Sequence, residues 1–316
     1  MLSPDVRFRP GRDVLRRELR GRLILLNALS GRYFELDRSG AAIWRLFETF
    51  GSMKAVVNAA ASQHDGPATE IENDILAFVE MAVAGNLLEP DTEGTNGSPS
   101  AAATDPILQI GKSGLAVNGT IAPLRDAFSR QHYIRLPQFI EPSLLAIVAN
   151  RIEQGEFVDR THHGIGKESC LVPGVATSAL QFVFNDQRLL EVVGEIAGCG
   201  AVRSFDGRVY RMAPNTGHYD SWHSDAAEDR LVAVSVNLSR EPYEGGVLEI
   251  RQASSTDQIE AVSNIGFGNA IMFRISPALR HRVTAVEGSQ ARTAYAGWFR
   301  SAPDFQDLFL ASLPPA

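Results

Sequence analysis

A chain of 316 residues that is 44% hydrophobic and 21% charged can bury a sizeable core, which excludes a disordered chain and leaves room for two domains. Its formal net charge of −7 argues against bulk nucleic-acid binding, and it has neither the apolar run of a secretory signal nor one approaching a membrane span. Cys170 and Cys199 stand in unrelated contexts, which fits a reducing compartment and gives no thiolate metal site, so a cytoplasmic protein is expected.

Residues 1 to 22 hold seven arginines against three acids, a run that reads as a solvated face, with an acidic partner as the alternative. The runs "DVLRREL", "RLILLNAL" and "RYFELD", separated by "RG" and "SG" turns, predict a small antiparallel meander. In "RSGAAIWRLFETF" Ala42, Ile43, Phe47 and Phe50 fall at helical spacing, and Asp37 stands where a helix cap belongs. Two further helical segments, about 52–63 and 68–86, precede "GNLLEP". Three strands and three helices make residues 1–90 a small winged-helix-like α+β domain. The segment "DTEGTNGSPSAAATDP", residues 91–106, has no large apolar residue and reads as a flexible linker to a second domain, 107–316.

"LILLNALSGRYFELDRSGAAIWRLF" followed by "DILAFVEMAVAGNLLEP" resembles the PqqD-like family, the RiPP recognition element, over about residues 22–90. The markers are the Leu-Asn before the turn, "GRYFELD", "GAAIW" and the closing "GNLLE", with Asp37 where the family usually has Asn. The resemblance implies binding of the leader segment of a ribosomally made precursor peptide, added as a strand along Arg32, Tyr33, Phe34, Glu35 and Leu36, beside a groove shared with the last helix. An unpaired strand edge offers the backbone donors and acceptors such binding needs. A structural or dimerising appendage is the alternative.

From residue 107 helical patterns come first: "IAPLRDAFSRQ", "PSLLAIVANRIEQG" with Pro142 suited to a first helical turn, "VATSALQFVFND" and "QRLLEVVGEIAG". After Gly200 the chain changes to short β-rich runs: "VRSFDGRVYRM", "DRLVAVSVNLS", "GGVLEIRQ", "GNAIMFRI" and "TAYAGWFR". These predict a sandwich or double-sheet jelly roll with helices packed outside one sheet.

In "DSWHSDAAED" His223 and Asp225 are two apart, so on a strand both would face one side. A pair of this kind is also compatible with two structural polar residues. His281 in "ALRHRVTAVEG" is the best candidate for a third ligand, completing the two-histidine, one-carboxylate facial triad of non-haem iron oxygenases. Arg292 follows at a point where a strand neighbouring that histidine would enter the same barrel. It shares strand parity with Ala294, Ala296, Trp298 and Arg300. Two alanines beside an inward arginine leave a small void ending in a fixed cation, a shape suited to a dicarboxylate.

"HSD", "GGVLEI", "GNAIMFRISPALRHRVTAVEG" and "RTAYAGWF" together resemble the 2-oxoglutarate- and Fe(II)-dependent dioxygenases, in particular the prolyl-4-hydroxylase-like branch, over about residues 200–300. The resemblance implies a double-stranded β-helix, with His223, Asp225 and His281 as iron ligands and Arg292 as the 2-oxoglutarate anchor. Tyr210 is implied as a second cosubstrate contact, with Tyr219 as its rival. Fe(II), 2-oxoglutarate and O2 are the implied cofactor and cosubstrates. Retention of Asp225, which halogenating relatives lack, implies hydroxylation or desaturation, with 2-oxoglutarate leaving as succinate and CO2. Around the mouth, His162 and His163 belong to a glycine-containing loop suited to covering the site. Trp222, Trp298, Arg251 and Arg300 are candidate substrate contacts.

A linker of this length has an end-to-end distance of roughly 20 to 25 Å. It would hold a bound peptide near the iron at an effective concentration on the order of millimolar. The expected activity is hydroxylation of a ribosomally synthesised precursor peptide. The alternatives are a small-molecule hydroxylase with a structural front domain, and a non-catalytic metal-containing peptide-binding protein. The sequence leaves the oligomeric state open.

Overall fold

Helix α1 (Arg38–Phe50) begins where its sequence directs: the Asp37 carboxylate accepts a hydrogen bond from the Gly40 amide at 2.7 Å. Its buried face is Gly40, Ala41, Trp44 and Phe47, so Ala42 and Ile43 lie at the flank and Phe50 is exposed. The computed structural model describes residues 6–63, 66–91, 105–263 and 265–312, and its contacts divide between residues 104 and 105 into two units. The expected linker, 91–106, falls at 92–104 outside the described residues.

In the first unit β1 (Phe8–Pro10) precedes a three-stranded antiparallel meander of β2 (Val14–Leu19), β3 (Arg22–Asn27) and β4 (Arg32–Leu36). After α1 come α2 (Met53–Gln63), α3 (Ala68–Ala84) and β5 (Leu88–Pro90), which pairs with β1 in a ribbon additional to the expected three strands. Trp44 and Phe47 centre an apolar core that reaches from Phe8 to Leu88. Buried Asn27 ties the β3–β4 turn to the α3–β5 corner. Its Oδ1 accepts from the Leu29 and Ser30 amides at 2.9 and 3.0 Å, and its Nδ2 donates to the Gly85 and Asn86 carbonyls at 3.1 and 3.2 Å. Among the described residues β4 pairs only with β3, so it is an edge strand.

The second unit opens with the hairpin β6 (Leu108–Gly111) and β7 (Gly114–Val117), then α4 (Ala122–Gln131), β8 (Tyr133–Leu136) and α5 (Pro142–Glu153). Next are β9 (Phe157–His162), β10 (Gly166–Leu171), α6 (Val175–Phe184) and α7 (Gln187–Ala197). The roll itself follows as β11 (Ser204–Met212), β12 (Tyr219–His223), β13 (Arg230–Asn237), β14 (Glu244–Gly245), β15 (Leu248–Gln252) and β16 (Gln258–Val262). It is completed by β17 (Ala270–Arg274), β18 (Leu279–Val283), β19 (Val286–Glu287), β20 (Arg292–Arg300) and the terminal helix α8 (Phe305–Ser312).

Eleven of these strands form one antiparallel sheet in the order β16-β15-β18-β12-β10-β11-β20-β13-β17-β8, with β9 on β10. The sheet curls into a jelly roll at β10, whose first residues pair with β12 and whose later residues pair with β11. Strand parity then sorts the side chains. Phe205, Tyr295 and Phe299 point outward: Phe205 and Tyr295 each pack on Phe184 of α6 at a ring separation of 4.9 Å, and Phe299 packs on Phe205 at 4.8 Å. Tyr210, Met212 and Ala294 point into the roll, to meet Leu248, Ile250 and Val283 from the opposite wall. None of the helices among the described residues is long and apolar enough to cross a membrane.

Candidate active site

His223 is the last residue of β12 and pairs directly with His281 at the centre of β18. Strand β18 reads Leu-Arg-His-Arg-Val, and its alternation sends Leu279, His281 and Val283 inward. Asp225, expected on the same strand as His223, lies instead just past the strand's end, so the i, i+2 argument reached the right neighbour through the wrong backbone. The ligand atoms of His223, Asp225 and His281 all lie within 4.8 Å of one another. His223 Nε2 is 3.6 Å from Asp225 Oδ1, and His281 Nε2 is 3.3 Å from Asp225 Oδ2. His223 Nδ1 is 2.7 Å from the Ser221 carbonyl, which can only accept, so Nδ1 is the donor there and Nε2 is the nitrogen that faces the cluster.

The charge states follow from the surroundings. Burial lowers the pKa of His281 and keeps it neutral. Burial works to raise the Asp225 carboxyl, but hydrogen bonds from His281 and Trp298 and the nearby imidazoles outweigh it and hold the group at about 2. Burial pushes the Asp220 carboxyl, 3.3 Å from His223 Nδ1, up to about 7. A neutral imidazole and an ionised carboxylate are the forms in which His281 and Asp225 would bind a metal.

The cluster borders a cavity of about 390 Å³ inside the roll. Ala233, Ser235, Ala296, Tyr210 and Trp298 are among its lining residues. Its mouth carries His162, Lys167, Glu168, Arg208 and Tyr219, the last half exposed. Glu168 is held there by Arg208 at 2.8 Å and His162 at 3.2 Å.

Arg292 is 5% exposed and sits directly behind this wall. Its guanidinium donates to the Tyr210 hydroxyl and to the Ser235 hydroxyl at 3.4 Å, and it also meets Tyr243. Among the described residues no carboxylate lies within ion-pair distance of it. Burial works against its charge, yet the neighbouring tyrosines outweigh this and raise its pKa further. Gly246, at φ +56°, passes so close that a Cβ there would meet Arg292 Cδ at 2.8 Å, so the glycine both adopts a left-handed turn and leaves room for the arginine. Contrary to expectation, β20 does not neighbour β18: β12, β10 and β11 lie between them. Arg292 approaches the site because the sheet curls, not because the strands are adjacent.

The other candidates fall in different places. Trp222 does not line the cavity; it is covered by Arg251 at 4.1 Å and Arg282 at 4.8 Å, and Arg251 is likewise off the cavity. Arg300 pairs with Asp229. Trp298 lines the cavity, but its indole is bonded to Asp225 and overlaid by Arg230. His162 and Tyr219 reach the mouth and His163 does not. In β4, Leu36 is buried and Phe34 packs onto the core, while Arg32 and Glu35 are exposed and Tyr33 half-buried. Glu168, Arg208, Asp220 and Arg230 were not singled out from sequence, since isolated charged residues read there as ordinary surface.

The family model described as the 2OG-Fe(II) oxygenase superfamily matches residues 207–300, and that of coenzyme PQQ synthesis protein D (PqqD) matches residues 22–88. The chain carries a PqqD domain followed by a 2OG-Fe(II) oxygenase domain. No curated protein matches it. Among solved structures it is similar to an oxidoreductase of the 2OG-Fe(II) oxygenase family from Burkholderia pseudomallei, at 17% identity over 62% of this chain and 97% of that one, TM-score 0.45. It is also similar to a prolyl-4-hydroxylase from Pseudomonas putida, at 20% identity over 58% and 100%, TM-score 0.46. The PqqD domain is similar to TbiB1 in complex with the TbiA(beta) leader peptide, at 26% identity over 26% of this chain and 94% of that one, TM-score 0.25. Oxygenases of this superfamily use Fe(II), 2-oxoglutarate and O2.

The residues present fit those groups. Two imidazoles and one carboxylate, each offering one donor atom, suit ferrous ion and leave positions open for further ligands. A buried guanidinium supported only by hydroxyls suits the far carboxylate of a dicarboxylate, because an unneutralised cation in a dry interior is stabilised by an anion that can reach it.

Proposed function

We propose that the protein hydroxylates a ribosomally synthesised precursor peptide in a 2-oxoglutarate- and Fe(II)-dependent reaction. Residues 1–90 bind the leader, residues 91–106 serve as the tether, and residues 107–316 carry out the oxidation. One observation carries the catalytic half: a His-Asp-His cluster lines a cavity whose Tyr210 and Ser235 also accept from a buried arginine that, among the described residues, has no carboxylate partner. His223, Asp225 and His281 would hold Fe(II), and Arg292 with the Tyr210 hydroxyl would hold 2-oxoglutarate. Bound iron, with 2-oxoglutarate and O2, supplies the oxidising power for C–H oxidation, the cosubstrate leaving as succinate and CO2. The chain's own part is to bind and orient. The apolar walls from Leu248, Phe273 and Val283 exclude water from the reacting groups. The mouth, with His162, Tyr219 and the Arg208–Glu168 pair, faces the entering side chain.

The leader half is supported by the edge position of β4 within the region matched by the PqqD model. A peptide strand added there gains main-chain hydrogen bonds, with Tyr33 and Glu35 on one face to read its side chains. The test is mass spectrometry of short peptides encoded beside this gene, incubated with the protein, Fe(II), 2-oxoglutarate and air. We expect gain of one oxygen that is lost with His223→Ala and lost when the leader is removed from the peptide. Succinate formation with every peptide unmodified, and none bound by residues 1–90, overturns the peptide reading and leaves a small-molecule hydroxylase.

A further inference from the structure

Asp225 differs from the two histidines beside it in how it is held. His223 and His281 are fixed by the ladder between β12 and β18, whereas Asp225 lies in a stretch with no strand pairing. Its carboxylate is positioned by side chains from two other strands. Trp298 of β20 donates its indole N–H to Oδ2 at 2.7 Å. Arg230 of β13 donates from Nη1 to Oδ1 at 3.4 Å, and its guanidinium carbon lies 3.6 Å from the centre of the Trp298 ring. The two residues are therefore bound to each other as well as to the aspartate.

We infer that Trp298 and Arg230 form a clamp that sets Asp225 in one orientation and makes it a one-oxygen metal ligand, so that they are positioning residues rather than substrate contacts. The inference rests on the proposed metal site. A carboxylate that can turn freely can also chelate through both oxygens, taking a coordination position that the cosubstrate or oxygen requires. The indole N–H occupies Oδ2 with a short, well-directed bond, while the contact from Arg230 to Oδ1 is long, so Oδ1 is the freer donor. Arg230 lying over the ring prevents the indole from swinging out of reach. The aromatic surface left for a substrate to stack on is correspondingly small, because the arginine already covers one face of Trp298. Partners that orient a ligand in this way commonly govern metal affinity as strongly as some ligands do.

Anaerobic titration of the full chain with Co(II), read by its visible absorption, tests the clamp without relying on turnover. Trp298→Phe keeps the ring and removes the donor. It should weaken Co(II) binding by about 10- to 100-fold and change the intensity of the bands as the carboxylate becomes free to chelate. Arg230→Met removes the cover and should give a smaller loss with a spectral change in the same sense. Thermal melting of the metal-free proteins separates positioning from folding, since a merely structural role would lower the melting temperature and leave the affinity and spectrum of the folded fraction unchanged. If Trp298→Phe does not fold, Arg230→Met decides the question. Co(II) binding that both substitutions leave intact overturns the clamp alone; failure of the unsubstituted protein to bind Co(II) overturns the metal site, and the clamp with it.

Discussion

The two units bury polar groups for different ends. In the N-terminal unit the core from Phe8 to Leu88 is apolar, and Asn27, buried at its edge, has four hydrogen bonds that close a turn onto a corner. In the oxygenase unit the interior of the roll contains His281 and Arg292, both under 10% exposed, and the arginine has hydroxyls but, among the described residues, no carboxylate beside it. A buried polar group with all its bonds made within the chain serves the fold. One whose charge is left for something else to neutralise marks a binding site.

The largest effect that would sharpen this contrast is in the apolar core. Phe47 is 1% exposed and packs edge-on against Phe8, ring centres 6.0 Å apart. Phe47→Ala should cost about 3–5 kcal/mol through lost burial and the cavity left behind. A melt should show the first unit destabilised, while 2-oxoglutarate consumption without peptide persists, since His223, Asp225 and His281 all belong to the second unit. Loss of cosubstrate consumption in a chain whose second unit remains folded would break the contrast.

Arg292→Met should act the opposite way. Binding of 2-oxoglutarate should weaken by about 30-fold to several thousand-fold, equal to ~2–5 kcal/mol, because a desolvated charge pair loses one partner. Stability of the ligand-free protein should stay level or rise, since an apolar side chain of similar length replaces a buried cation that had no counter-charge. Calorimetric titration and a melt read the two effects separately. A strongly lowered melting temperature with cosubstrate affinity intact would make Arg292 a structural residue.

The sequence carried some of this directly and some not at all. Helix α1 was legible because its cap and spacing are local, and His281 because the text around it, "GNAIMFRISPALRHRVTAVEG", resembles the dioxygenases. Strands β9 and β10 were not, because most of their side chains are polar and only partly buried and show no apolar alternation; "GKESCL" looks like loop. The relation of Arg292 to His281 was misread for a topological reason. It depends on β10 pairing with two strands at once, and nothing local in the chain announces that corner. Trp298 was noticed as an aromatic beside a metal, but its bond to Asp225 joins residues far apart in the sequence, so only the folded chain reveals it.

Asn27→Ala is the smallest and most discriminating test. The side chain is 2% exposed, and its removal leaves two amides and two carbonyls without their partner. Water can reach the turn residues Leu29 and Ser30, both exposed, so their amides are satisfied at little cost, whereas the Gly85 and Asn86 carbonyls lose the link between turn and corner. The net cost should be about 1–3 kcal/mol, below that of Phe47→Ala. The same link holds the start of β4 in register with the end of α3, so a melt should fall modestly while leader affinity falls with it. Asn27→Asp retains the acceptor for Leu29 and Ser30 but not the donor for Gly85 and Asn86. If it behaves like the alanine variant, the corner bonds dominate; if it behaves like the unsubstituted chain, the turn bonds do, and the Leu-Asn pair before the turn matters for shaping the β3–β4 hairpin rather than for joining it to the helix.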